Sequence, residues 1–591
     1  MNKIILVLMF FLSAINLFAN INYSEADKVV YAPGETAEFT VSISVPEEEA
    51  VTVTTFIYRD INTKEKVSEE NITLKGNNTE NLVKSYWKVP ENTEWGHAAI
   101  VNISTKQTYG TSFIYFAVGK ERQYKYGYWG MICNRGVYSK DECILNVKEG
   151  FKQGHYSAIE YNAWSPSCWE IMAPEEDVWV SGATAYLEKK DNMKAMIDAA
   201  HECGMNFFAY FIFCSWGQGG EEYLRLHPNW WNYDKHGKAF PELNCYDMEY
   251  IDNIHEFNTD RQNWKDKGEY PHWTWWSTGN LVFEGMPDYF FNELKKSKEM
   301  FGWDGFRADG LVKNEDTYDS EGNLIKADPK YPDYLSWVRY IRKRMKEEMG
   351  EEVTLHHNSR SVEYPLEKTD PEFIIANAED DSFTLWEGAM YAFNKSCDLN
   401  DMRTFAKYGH KEVDIVRKAG GERYVMMCWG WNEYLQAIIT AFGGRMTGIV
   451  GMPTNPPARF FSPPYMDFAF RFSEYFWNNK ITHVEDEKSF ISVEGDVYWD
   501  TLVQKLEKDG KTYYMVHLIN APESFSVSDP VPAPVENVTV KINVPGQVKS
   551  YAISPDFALD NSFVYAEGDS TLLIPSVKQW TVAVFEMQNA K

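Results

Sequence analysis

Between about residues 121 and 470 the chain repeats one pattern: a short apolar run, an amphipathic segment of helical period, then another apolar run. Apolar runs that can be buried on both faces suit a parallel sheet, with the intervening helix carrying the chain back to the same end. Eight such runs are present: KYGYWGMI, SAIEYNAW, NFFAYFIF, DGFRADG, VTLHHNS, FIIANAED, RYVMMCWG and TGIVGMP. Eight parallel strands can close on themselves, so the expectation is a central (β/α)8 TIM barrel over residues 121–475 with its site at the C-terminal strand ends. The helices read clearly. AYLEKKDNMKAMIDAAHECG precedes the third strand with Gly204 as its stop, and PDYFFNELKKSKEMFG precedes the fourth.

A chain of 591 residues exceeds one core, and the flanks change period. Residues 20–120 alternate in period two (GETAEFTVSISV, AVTVTTFIY, GHAAIVNIS, GTSFIYFAVG), as expected of an immunoglobulin-like β-sandwich. Residues 480–591 return to that period in KTYYMVHLIN, NVTVKINV and WTVAVFE, which predicts a C-terminal β-sandwich capping the barrel, its aromatic residues buried in its own core. Residues 1–19 carry Lys3, the apolar run Ile4–Leu12 and Ala19, the plan of a signal peptide. The expected location is secreted or periplasmic, without membrane insertion. None of the eight cysteines forms a CxxC pair, and Cys203, Cys214 and Cys428 read as buried thiols.

The strand ends carry the chemistry. They present Glu160, Tyr161 and Trp164 from the second run, Arg307 and Asp309 from the fourth, and His356, His357 and Asn358 from the fifth. The sixth supplies Asn377, Glu379, Asp380 and Asp381, with Trp386 shortly beyond, and the seventh Trp429, Trp431 and Asn432. The long connection from Ser215 to Met286 adds Trp216, Trp230, Trp231, Trp264, Trp273, Trp275 and Trp276, rings suited to stacking on sugars. A net charge of −28 disfavours a polyanionic partner and excludes nucleic acid from the reading. There is no Ser-His-Asp order, no GxGxxG after a first strand and no HExxH, so acyl transfer, dinucleotide and zinc chemistry lack support. Neighbours on a strand face opposite ways, so only one of His356 and His357 can face the site, in a role of hydrogen bonding rather than metal ligation. DTYDSEGN, residues 316–323, reads as a β-turn in preference to a calcium loop. No metal or cofactor is expected.

What remains is two carboxylates across a barrel mouth, the requirement for cleaving a glycosidic bond. Asp309 stands two residues beyond Arg307 and so on the same strand face, where the cation favours the ionised form that a nucleophile needs. Glu379 ends the apolar run FIIANA, where desolvation favours the protonated form that a proton donor needs; Asp381 and Asp380 remain alternatives if the strand register differs by a residue. Binding roles are expected for Glu160, Tyr161, Trp164, Trp216, Arg307, His357, Asn358, Asn377, Asp381, Trp386, Trp429 and Trp431. The expected partner is a poly- or oligosaccharide.

GWDGFRADG, AAHECGMNFFAYFIF and HPNWWNYDKHGKAFP are similar to segments of glycoside hydrolase family 66, the dextranases and cyclodextran-forming enzymes, and the order sandwich, barrel, sandwich resembles that family too. The resemblance implies a retaining glycosidase with its nucleophile in the fourth strand and its acid after the sixth. In that family a Glu shortly precedes a Trp there; this chain has AEDDSFTLW. An Arg two before the Asp is also similar to the α-amylase barrels, but VTLHHNSR offers no Glu after the fifth strand. Transglycosylation by the same fold and non-catalytic glycan binding are the other expectations.

Overall fold

In this computed structural model the described residues are 20–588, except 60, 62–63, 78, 106–108, 121–122, 134, 163, 167–171, 182–186, 213, 216–234, 238–275, 278–284, 310–317, 325–333, 360–374, 376–382, 387–398, 421–422, 428–432, 450–462, 522–531 and 558–562. The leader at 1–19 lies outside them.

Eight strands, paired in parallel throughout, close into a barrel: β1 (Tyr128–Ile132), β2 (Tyr156–Tyr161), β3 (Asn206–Ile212), β4 (Gly305–Asp309), β5 (Thr354–Ser359), β6 (Phe383–Trp386), β7 (Arg423–Met427) and β8 (Arg445–Ile449). β8 pairs with β1 through Thr447 and Trp129, which completes the ring. Helices α1 (Lys140–Leu145), α2 (Lys190–Glu202), α3 (Met286–Phe301), α4 (Tyr334–Met349), α5 (Leu399–Lys418) and α6 (Glu433–Ala441) occupy the crossovers, and α7 (Pro463–Arg471) and α8 (Ser473–Trp477) follow the last strand.

Local sequence explains where these helices start and stop. Ser139 and Glu142 cap α1 reciprocally, each satisfying a backbone N–H that the first turn leaves open. Helix α2 buries Met193, Met196, Ile197 and Ala200 against the barrel and ends where Gly204 adopts φ +67°. There the Met205 N–H reaches back to the Ala200 carbonyl at 2.9 Å, and a side chain at 204 would collide with the carbonyl of Val30. Helix α3 starts with Pro287 in its first turn and ends at Gly302, φ +86°.

The N-terminal region packs a three-stranded sheet (Asn20–Ala26, Thr36–Ser44, Glu80–Lys88) against a five-stranded one that includes Glu49–Tyr58, Trp95–Ser104 and Tyr109–Val118. Phe39, Val41, Ile43, Val53, Ile57, Trp87 and Phe116 fill the space between them. The C-terminal region pairs a six-stranded with a three-stranded sheet over Val503, Val516, Leu518, Val540, Ile574 and Phe585. Its aromatic residues are not confined to that core. The Trp580 ring lies 4.9 Å from Phe468 of α7 and 6.0 Å from Phe476 of α8, because the outer face of the large sheet is itself apolar and is covered by barrel helices.

Several histidines are buried in these seams. His97 lies between Trp87 and Phe116 and donates to the Trp95 carbonyl, while His517 accepts the Trp580 indole N–H at 3.2 Å. Burial holds both near pKa 3, far below the usual 6.5. His410 of α5 and His483 stack at 3.6 Å across the barrel and C-terminal sheet; burial lowers both, His483 to about 4. A pKa lowered on folding means that the unfolded chain binds the proton first, so this stability is intact above about pH 6.5 and is lost as pH falls towards the folded values. His97 and His517 together should cost roughly 3 kcal/mol for each pH unit in that window. The expected result is a melting temperature that drops progressively from pH 6.5 to 4; a flat profile over that range would contradict it.

Candidate active site

Alternation along the strands sends every second residue into the barrel. Trp129 of β1, Phe208 of β3 and His356 of β5 meet there, with ring centroids 4.6 Å apart for Trp129 and Phe208 and 5.1 Å for Phe208 and His356. Tyr124, just before β1, closes this layer from the N-terminal end, its ring 5.7 Å from Phe208 and 5.4 Å from His356. His356 shares a 2.7 Å hydrogen bond with the Thr354 hydroxyl of its own strand. It is part of the barrel floor.

One step towards the C-terminal ends stand Glu160, Tyr210 and Arg307. Arg307 and Glu160 are both fully buried, with Nη1 3.7 Å from Oε1. The guanidinium also lies 5.1 Å from the Tyr210 ring centre. Glu160 Oε2 accepts the Trp129 indole N–H at 3.0 Å, and Oε1 lies 3.4 Å from the Asn162 amide nitrogen. Arg307 pairs in register with Tyr210 on one side and His356 on the other. β4 runs two residues further and ends at Asp309, in register with Ile212, the last residue of β3. The fourth strand therefore leads from a buried ion pair to a carboxylate residue at the C-terminal end of the barrel.

The other sequence expectations divide. Glu160 and Arg307 line the interior as predicted, both at zero exposure on the strands that lead to the mouth. Tyr161 is corrected outright: it faces the helical layer, where its hydroxyl donates to Glu188 and accepts the Arg135 N–H at 3.1 Å. Burial raises its pKa well above the usual range. Trp164 lies beyond the end of β2 and is fully buried against Phe301 and Trp303, its indole N–H on the Tyr210 carbonyl at 3.0 Å. Neither ring has a face open to a sugar.

His357 pairs in register with Ala308 and Thr384, Asn358 with Leu385, and Trp386 with Ser359 and Met426, which puts these residues at the C-terminal ends of β5 and β6. The sixth strand differs from its expected place. FIIANAED is not the barrel strand; FTLW is, because it carries the register with both β5 and β7. Glu379 therefore precedes β6 in sequence instead of ending it, and the residue that follows β6 is Glu387. Asn377, Glu379, Asp380, Asp381, Trp216, Trp429, Trp431, Asn432 and Glu387 lie outside the described residues.

The long connection after β3 returns to its own origin. Cys214 pairs with Ser277 and Ser215 with Trp276 in a short antiparallel ladder just past β3. A turn of this connection at 235–237 also meets the turn after β4, where a Cβ on Gly237 would fall 2.4 Å from the Ser320 carbonyl. That second turn is the DTYDSEGN segment: Asp319 accepts the backbone N–H groups of Glu321 and Asn323, each at 2.9 Å. Among the described residues no three His, Cys, Asp or Glu side chains gather as a metal site. Trp129, Phe208 and Tyr210, which sequence reading left unassigned, are the interior rings; their signal was their alternate spacing inside the first and third runs.

A closed parallel barrel with an Asp residue ending its fourth strand, between two pairs of β-sheets, is a frame on which a glycoside hydrolase can be built, although a fold alone does not fix a function. The profile of Glycosyl hydrolase family 66 matches residues 26–360, and the chain belongs to that family. Among solved structures it is similar to a cycloisomaltooligosaccharide glucanotransferase from Paenibacillus sp. complexed with cycloisomaltoheptaose, at 11% identity and TM-score 0.72, over 96% of this chain and 100% of that one. An α-amylase from Geobacillus thermoleovorans complexed with acarbose aligns at 11% identity and TM-score 0.45, over 80% of this chain and 100% of its own. No curated protein sequence matches it.

Proposed function

We propose that this chain is a retaining glycoside hydrolase acting on an α-glucan, exported by its leader at 1–19, with its (β/α)8 barrel as the catalytic domain. The observation that carries this reading is Asp309 at the end of β4, two residues past the buried Arg307, in a family 66 chain. An Asp309 oxygen attacks the anomeric carbon while the glycosidic C–O bond breaks, and the departing oxygen takes a proton from a second carboxyl group, for which we propose Glu379. The resulting carboxylate then removes a proton from water, whose oxygen displaces Asp309 and restores the starting configuration. The proposed subsites are built from Asn358, Asn377, Asp381, Trp386, Trp216, Trp429 and Trp431; His357, expected among them, is the strand neighbour of inward-facing His356 and is not included. This chemistry uses two carboxyl groups and needs no cofactor.

Transfer to a sugar hydroxyl in place of water is the second reading, favoured by full-length similarity to a glucanotransferase. The test is incubation of the purified protein with dextran, starch, a β-glucan and a sulfated polysaccharide, with product sizes recorded. Shortened dextran supports hydrolysis, and cyclic or lengthened products support transfer. Turnover of the β-glucan or the sulfated polymer alone would reject the α-glucan reading.

A further inference from the structure

We propose that Glu160 is a positioning residue for the nucleophile, acting through Arg307 and setting how much positive charge Asp309 experiences. The inference rests on the reading of Asp309 as nucleophile. Burying a guanidinium and a carboxylate together costs desolvation that their attraction only partly returns, so such a pair is a poor device for stability alone. Here the pair sits inside the barrel directly below the end of β4. Glu160 is itself fixed: Trp129 donates to one carboxylate oxygen at 3.0 Å, and Asn162 and Arg307 lie 3.4 and 3.7 Å from the other. The Tyr210 ring, 5.1 Å from the guanidinium, holds the cation from the β3 side. Arg307 thus stands on β4 with a carboxylate residue two strands away on β2 and the Asp residue two positions further along its own strand.

The electrostatic consequence has a sign. Arg307 stabilises ionised Asp309, and Glu160 opposes it, because a second carboxylate disfavours the charge of the first. Among the described residues the titratable groups lining this part of the barrel are Tyr124, Glu160, Tyr210, Arg307 and His356. Glu160 and Arg307 form the ion pair among them, and removing either one pushes the ionisation of Asp309 in opposite directions.

The test is the acid limb of kcat/KM against pH on dextran oligosaccharides, together with melting temperatures. Glu160→Gln should move the limb down by about one pH unit and Arg307→Met should move it up by about one, the lower end of what a single neighbouring charge produces. A purely structural ion pair would lower the melting temperature of both variants and leave the limb in place. Truncating one member of a buried ion pair is destabilising, so the double variant Glu160→Gln/Arg307→Met, which removes both charges, is made alongside. Arg307 stands two residues from Asp309 on the same strand and Glu160 two strands away, so the double variant should still shift the limb upward, by less than Arg307→Met. Shifts of the two single variants in the same direction, or an unmoved limb in the double variant, overturn the inference. Full turnover by Asp309→Asn would instead remove the reading on which it rests, so the two failures are distinguishable.

Discussion

Asp309→Asn should lower kcat by roughly a thousand-fold or more while affinity for a glycan stays within a few-fold and the melting temperature within a few degrees. The amide matches the carboxyl group in shape and in most of its contacts, so ground-state binding survives. It lacks the charge and the nucleophilic lone pair that act only as the anomeric carbon becomes electron-poor, and interactions confined to the transition state appear in kcat rather than in affinity. The position argues the same way. Arg307 and Glu160 are fully buried and ion-paired in the interior, where Glu160 also accepts the Trp129 indole N–H, so neither stands at the strand end that Asp309 occupies. Calorimetric titration with a dextran oligosaccharide separates the two quantities. Activity near the wild-type level in a folded Asp309→Asn protein would eliminate the covalent mechanism.

The fold was legible where burial is uniform. Seven of the eight barrel strands overlap the apolar runs that predicted them, because a strand covered on both faces is mostly apolar along its length. Gly204 marked a helix end correctly since it takes a positive φ that side-chain-bearing residues rarely adopt, as Gly302 does at the end of α3. The sixth strand failed for the same physical reason that the others succeeded. FIIANA is the more apolar of two neighbouring runs and drew the assignment, whereas FTLW makes the pairing with β5 and β7. Hydrophobicity reports burial but not partner. The site was legible to the level of strand ends and not to the level of faces: Tyr161 is the last residue of β2, yet its alternation sends it to the helices, while Glu160 beside it points inward. Trp164 carried no warning at all, because an indole that stacks on a sugar and one that packs against Phe301 have the same sequence signature. The seam between the barrel and the C-terminal sheets was hidden likewise. Trp580 and His517 read as members of one sandwich core and instead join it to α7 and α8.

Glu379→Ala should release the leaving group of a dinitrophenyl α-glucoside in a burst and then turn over slowly, and azide should accelerate the slow phase. A dinitrophenolate departs without protonation, so loss of the acid spares the first displacement, while hydrolysis of the glycosyl-enzyme loses the base that activates water. Azide needs no base. Forming the intermediate inverts the anomeric carbon and azide attack inverts it again, so the glycosyl azide should keep the configuration of the substrate. An inverted azide would replace the covalent mechanism with direct displacement, and Asp309 would become the base that activates water. The choice of residue is tested by the same assay. Glu379 is favoured by its place at the end of the apolar run FIIANA, where desolvation favours the protonated form; Glu387 is the acid that directly follows β6. Asp380→Ala and Asp381→Ala should show no rescue. Rescue in Glu387→Ala with none in Glu379→Ala would transfer the acid/base role to the end of FTLW, and both carboxyl groups would then stand at C-terminal strand ends, Asp309 on β4 and Glu387 after β6.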